Sequence, residues 1–333
     1  MITSENMPIL TLKKFVQNRN LIFVLKLLVS VGIILFLFQR IDLKYLTAKL
    51  LSMQWSYLIV CLSLFFLGEI LHALRWKILL KCKKIEVSTV KLLYFNFVGL
   101  FFNLFFPTAI GGDVIRIYQM STHSQNTSEA VASVLLDRGV GFFTLLCVAP
   151  IMVIFSTKQM ETFAFFSPII LLSFTAMAAI FIFFRLKEPM QKWPSANKNK
   201  FYKRIMHYYD VLDAYRSHKK IILLAMVISL GMIFLGIFIT YLISHGLGLD
   251  IPLAYFNIFV PIIFLITMIP ISIHGLGLRE GAFVFFFAKA GLSVPEALSI
   301  SLISYVLTLI FGMIGGMGYI VHRDQWPGVR GNM

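Results

Sequence analysis

The sequence predicts an all-α, polytopic integral membrane protein, and three observations carry that prediction. Continuous apolar runs of about 18–25 residues, long enough to span a bilayer core as helices, fill most of the 333 residues. Hydrophobic residues make up 59% of the chain and charged residues only 14%, against roughly 45–50% and 25% in a soluble domain. Two of the runs break at a proline followed by glycines and an acid–arginine pair. One break extends from Pro107 through Gly111, Gly112 and Asp113 to Arg116; the other from Pro270 through His274, Gly275 and Gly277 to Arg279 and Glu280. A transmembrane β-barrel is excluded, because its strands alternate over about ten residues and these runs do not alternate.

The apolar segments fall at 21–38, 56–80, 90–106, 130–155, 162–184, 221–244, 251–273 and 281–321. Residues 1–20 are polar, and no small-residue cleavage site follows the first run, so it reads as a retained helix rather than a signal peptide. The last run is interrupted near Gly291. There Ser293, Val294, Pro295 and Glu296 form a capping box with proline in the first turn, so a new helix begins. Asn126 to Glu129 is a similar start for the helix near residue 130. Residues 322–333 form a tail.

Charge orients these segments. Lys13, Lys14 and Arg19 place the N-terminus in the cytoplasm by the positive-inside rule, and so do Arg75, Lys77, Lys81, Lys83, Lys84 and Lys91 after the second run. The loop at 185–220 is dense in Lys and Arg, from Arg185 and Lys187 to Lys219 and Lys220, against Glu188, Asp210 and Asp213. It too belongs inside, as a solvated basic loop or as an amphipathic helix on the inner leaflet. Simple alternation puts that loop outside. The conflict disappears if 90–106 dips in and returns through the helix after Gly112, and if 251–291 does the same around His274–Gly277. The expectation is about six to eight transmembrane helices, two of them re-entrant broken helices entering from opposite faces in an inverted repeat. The competing arrangement is about eight ordinary crossings with one loop on the wrong side.

The net charge of +15 is explained by such loops and by attraction to anionic lipid. No nucleic-acid recognition module is present. Cys61, Cys82 and Cys147 have no metal-site or disulfide spacing. There is no Walker A sequence, no G-x-S-x-G and no H-E-x-x-H, and the longest loop, about 35 residues, is below the roughly 50 of a small domain. No cofactor is expected.

Ionisable groups at membrane depth are costly and tend to mark a pathway. Asp113 and Arg116 share a face if a helix starts after Gly112; they form either an anion site at a helix N-terminus or an internal salt bridge. Arg279 and Glu280 repeat the pattern, and His274 is either a cap or a head-group contact. Asp137 and Arg138 lie within the fourth run, and the buried Arg needs an anion, from Asp113, Glu280 or a ligand. Glu69, His72 and Arg75 step along the second helix. Glu69 is deep enough to need a partner, whereas Arg75 and Trp76 read as anchors at the inner interface. The charged groups of the two breaks are expected to converge in one wet chamber.

These residues come in ordered groups: Leu74, Arg75, Trp76, Leu79 and Leu80; Asn103, Pro107, Gly111, Gly112, Asp113 and Arg116; Ser133, Asp137, Arg138 and Gly141; Pro270, Gly275, Gly277, Arg279 and Glu280. Together they resemble the transmembrane, flippase-like domain of the lysylphosphatidylglycerol synthase family over residues 20–321. Asp137 stands where the family usually has Glu, and His274 where it often has a second Gly. The resemblance implies a stand-alone member without the soluble synthase domain, so lysyl transfer is not expected. The implied activity is movement of a phospholipid or polyprenyl-linked glycolipid between leaflets of the cell membrane, alongside envelope-lipid biosynthesis enzymes. Arg116, Arg138 and Arg279 would meet phosphate, with Asp113, Asp137, Glu280 and Glu69 balancing charge. The alternative is a membrane enzyme of the aminoacyl- or glycosyl-lipid transferase type, or its non-catalytic partner.

Overall fold

The computed structural model describes residues 43–105, 111–156, 218–268, 272 and 275–321, with scattered positions between 171 and 185. Pro107, Pro270, His274, both chain termini, the first apolar run and nearly all of 157–217, with its basic loop, lie outside the described residues.

Among the described residues every regular element is a helix: α1 (Leu43–Leu51), α2 (Trp55–Lys81), α3 (Thr89–Phe105), α4 (Gly111–Ser124), α5 (Thr127–Ser156), α6 (Lys219–Gly246), α7 (Leu253–Met268), α8 (Leu278–Ala288) and α9 (Val294–Val321). Four of them, α2, α5, α6 and α9, are long and apolar enough to cross a membrane. The others are shorter, with 17 residues in α3 and 14 in α4, 16 in α7 and 11 in α8. At 1.5 Å per residue α3 reaches about 25 Å, less than a full hydrocarbon core.

Local chemistry sets the helix starts. Asn126 Oδ1 accepts the Glu129 N–H at 3.2 Å, which caps α5. The Ser293 N–H and hydroxyl both donate to Glu296 Oε2, at 2.9 and 2.7 Å, ahead of α9. Gly277, at φ 78°, starts α8 in a conformation that favours glycine. The short helix α1 has no counterpart in the apolar pattern. It rests Leu46 on Leu298 of α9, and the Tyr45 hydroxyl donates to Glu296 at 3.1 Å.

Contacts along the helices give the topology. Helices α2 and α6 run antiparallel: the Gln54 N–H donates to the Gly246 carbonyl at 3.0 Å at one end, and Leu79 packs with Ala225 at the other. The face where α2 ends and α6 begins carries Lys81, Lys83, Lys84, Lys219 and Lys220, and is called the Lys-rich face below. Helix α5 starts there as well, with the Trp76 indole N–H donating to Ser133 at 3.3 Å.

Helices α3 and α4 form an antiparallel hairpin. Asn103 is level with Gly112, Gly99 with Arg116, and Lys91 with His123. A Cβ on Gly112 would overlap the Gly99 carbonyl, so this approach requires glycine. Both ends of the hairpin lie at the Lys-rich face. Helices α7 and α8 form the second hairpin, with Phe259 against Phe286 and Phe287 at 5.5 and 5.4 Å between ring centres. Its ends lie at the opposite face, where α6 stops and α9 begins. Helix α9 then returns to the Lys-rich face and sets Gly312, Gly315, Gly316 and Gly318 against α3; at Gly315 a Cβ would overlap the Phe97 carbonyl.

The order crossing helix, hairpin, crossing helix therefore occurs twice with reversed direction, in α2, α3–α4, α5 and again in α6, α7–α8, α9. Each hairpin leaves by the face it enters. This is the re-entrant, inverted-repeat arrangement rather than a row of ordinary crossings. On a background without native cysteines, Lys84→Cys and Gln125→Cys should label with an impermeant maleimide from one side of sealed vesicles. Asp250→Cys and Lys289→Cys should label from the other; mixed accessibility within either pair contradicts the hairpins.

Candidate functional site

Three helices bring ionisable side chains to one place. Helix α2 supplies Glu69, His72 and Arg75 from one face, at spacings of three residues. Helix α4 supplies Asp113 and Arg116 because Gly111 and Gly112 let its first turn sit against α3. Helix α5 supplies Asp137 and Arg138. Asp137 is the hub, with no exposed surface. Its Oδ1 accepts from Arg75 Nε at 2.8 Å, and its Oδ2 lies 3.0 Å from both Arg116 Nη2 and His72 Nε2. Asp113 accepts from Arg116 at 3.3 Å and forms an ion pair with Arg138 Nε at 2.8 Å. Arg75 also donates to Ser229 of α6 at 2.9 Å, so the network touches a fourth helix.

Arg75 and Trp76 differ from expectation. They are not interfacial anchors: Arg75 is 6% exposed and Trp76 fully buried. Helix α2 continues to Lys81, so both residues sit well inside its last turns, and Lys77 and Lys81 take the outer positions. The Trp76 ring lies 4.1 Å beneath the Arg116 guanidinium, a cation–π contact that strengthens when water is excluded.

Within the network Arg75, Arg116 and Arg138 match Glu69, Asp113 and Asp137 one for one. Arg75 and Arg116 are enclosed, with side chains 7% and 4% exposed, whereas Arg138 is 43% exposed and held by Asp113 alone. A guanidinium has five donors in a planar fork, so Arg138 keeps capacity for a further anion. Of the two protein partners open to it in the sequence, Asp113 takes the role and Glu280 does not.

The second break builds a smaller cluster. Glu280 Oε2 accepts the Gly277 N–H at 2.7 Å, and its Oε1 accepts from Arg279 and from Ser301 of α9. Arg279 also donates to Ser301 at 3.2 Å and lies 4.7 Å over the Tyr305 ring. Gly275, at φ 74°, packs beside Thr267. Among the described residues no hydrogen bond or ion pair joins this cluster to the one around Asp137. Helix α9 measures the gap. Arg279 meets it at Ser301 and Tyr305, whereas Gly99, beside Arg116, lies between the α3 residues that meet Gly312 and Gly315. That spacing is about 15 Å at 1.5 Å per residue. The two breaks approach along α9 as two separate ion clusters.

Two buried amides, Asn96 and Gln119, escaped the sequence reading. Asn103 and Gly99 on α3 meet Gly112 and Arg116 on α4, and Asn96 and Gln119 continue the same spacing along the two helices, so polar residues recur inside an apolar pair of helices. Asn96 and Gln119 are 3% and 4% exposed, and among the described residues neither amide has a hydrogen-bond partner; nor do Arg116 Nε, Glu69 Oε2 and, between α7 and α8, Ser272 Oγ. Buried polar atoms of this kind are normally satisfied by water or ligand. The signal was the spacing of three, four and seven residues along both helices, hidden by the apolar residues between.

Residues 23–316 match the family described as the lysylphosphatidylglycerol synthase TM region. Two curated relatives, each called a UPF0104 membrane protein, come from Methanothermobacter thermautotrophicus. One is 24% identical over 283 residues, covering 79% of this chain and 83% of its own length. The other is 25% identical over 281 residues, covering 75% and 80%. No solved structure matches the chain.

Removing one member of a buried ion network leaves the others uncompensated, at a cost on the order of 3–5 kcal/mol. Asp137→Ala should therefore lower the melting temperature in detergent far more than Arg138→Ala, whose side chain is partly hydrated. Asp137→Glu should recover much of the loss. Equal melting of Asp137→Ala and the parent would refute the hub role.

Proposed function

This chain belongs to the lysylphosphatidylglycerol synthase TM region family, and from that premise we propose that it moves an anionic lipid between the leaflets of a membrane. The head group passes through the polar interior while the acyl chains stay in the bilayer. One observation carries the reading: at each of two hairpins entering from opposite faces a partly exposed arginine pairs with the hairpin's buried carboxylate, Arg138 of α5 with Asp113 and Arg279 of α8 with Glu280. Arg138, 43% exposed, and Arg279, 17% exposed, offer phosphate-binding forks. The carboxylates of Asp113 and Glu280 hold the two guanidiniums in place.

A lipid phosphate passes from one arginine to the other, and rocking of the two halves exposes each station to its own leaflet. Positive-inside logic makes the Lys-rich face cytoplasmic in a cell membrane, with Arg138 the station on that side. Phospholipids and polyprenyl-phosphate lipids share the required chemistry. Enzymes that make envelope lipids are the natural suppliers of the cargo.

The full chain should be reconstituted in phosphatidylcholine vesicles with a trace of fluorescent phosphatidylglycerol, using dithionite to quench the outer leaflet. Arg138→Gln and Arg279→Gln should each slow exchange about tenfold, the weight of one charge-assisted contact, while Lys84→Gln at the surface leaves it unchanged. No exchange by the parent chain, or a covalently altered lipid by mass spectrometry, overturns the proposal in favour of an enzyme.

A further inference from the structure

His72 occupies a position in the network that neither charge balance nor packing explains. It is 22% exposed at the side chain, and its two ring nitrogens face different acids. Nε2 lies 3.0 Å from Asp137 Oδ2, and Nδ1 lies 3.7 Å from Glu69 Oε2. Asp137 is gripped by Arg75 and Arg116 and acts only as an acceptor, which assigns the hydrogen of a neutral His72 to Nε2. Nδ1 is then the basic nitrogen. It faces an oxygen that is buried and has no hydrogen-bond donor among the described residues. Two acceptors opposed in this way leave a place for one proton, which on Nδ1 points at Glu69 Oε2.

We propose that the Glu69–His72 pair is a proton-binding site, and that loading it is linked to capture of one anionic phosphate head group by the adjoining arginines. The inference rests on the head-group reading of Arg138 above and adds the ion that accompanies the lipid. With His72 neutral, Arg75, Arg116 and Arg138 are already matched by Glu69, Asp113 and Asp137. A phosphate arriving at Arg138 would leave one unbalanced negative charge within the membrane, where such a charge is expensive. A proton on His72 restores neutrality and supplies the donor that Glu69 lacks. The charged groups around His72 are Glu69 and Arg75 on its own helix, Asp113 and Arg116 on α4, and Asp137 and Arg138 on α5; α6 contributes Ser229, which does not titrate. Linkage is reciprocal: the proton tightens phosphate binding by the factor by which phosphate tightens proton binding.

The test measures binding of dihexanoyl phosphatidylglycerol to the purified full chain in non-ionic detergent at pH 6 and pH 8, a range in which the phosphodiester charge is constant. The parent should bind about tenfold more tightly at pH 6, a factor of ten corresponding to one unit of linked pKa change. Glu69→Gln and His72→Gln should each bring that ratio below about twofold. Melting curves check that each variant is folded, and Glu69→Gln decides alone if His72→Gln is not. Equal binding by the parent at both pH values, no binding at either, or a ratio unchanged in the folded variants overturns the proposal. Dithionite exchange in vesicles separates the two ideas. Lipid movement with pH-independent binding keeps translocation and removes the proton site; pH-linked binding without movement does the reverse.

Discussion

The arrangement depends on one buried carboxylate. Asp137 has no surface of its own, yet it accepts from Arg75 on α2 and Arg116 on α4 and meets His72 as well. Each of these groups would be costly in a membrane interior alone. Shared, they fasten the tip of a re-entrant hairpin to two crossing helices that lipid-like side chains could not hold in register. The hydrophobic effect between helices is weak where the solvent is itself apolar, so charge pairing and close glycine contacts specify which helix meets which.

The two hairpins use related devices to different degrees. In the first, Gly112 brings α4 against the α3 backbone, and the freed Gly112 N–H donates to Asn103 at 2.6 Å. Its charges then reach across to α2 and α5. In the second, the Gly277 N–H is taken by Glu280, three residues on, and the cluster stays local apart from Ser301 and Tyr305 on α9. An inverted repeat thus carries one large neutral network and one small ion pair. That asymmetry gives the two proposed stations different electrostatic character: the first is tied to a titratable histidine, and the second to a serine hydroxyl and an aromatic ring.

Much of the fold was legible because lipid imposes simple rules. Apolar runs at 56–80, 130–155 and 221–244 became α2, α5 and α6 with ends shifted by only a few residues, and Ser293 with Glu296 marked the start of α9. The basic loop at 185–220, which simple alternation places outside, pointed to hairpins that return. Helix α1 was missed, being short and only partly apolar. Arg75 was misplaced for a related reason. Sequence shows an arginine near the end of the 56–80 run, and a snorkelling side chain looks the same in one dimension as a buried one.

The sequence by itself determined the class of molecule, the two breaks and the residue types that chemistry at those breaks requires. These follow from composition and from the cost of unpaired backbone and charge in lipid, both local properties. Only the tertiary structure decided the partners. It paired Arg138 with Asp113 rather than Glu280, placed Trp76 under Arg116, buried Asn96 and Gln119, set His72 between two acids and kept the Arg279 cluster separate. Such pairings join residues distant in the chain, and their energies depend on distance and burial that only the packed helices define.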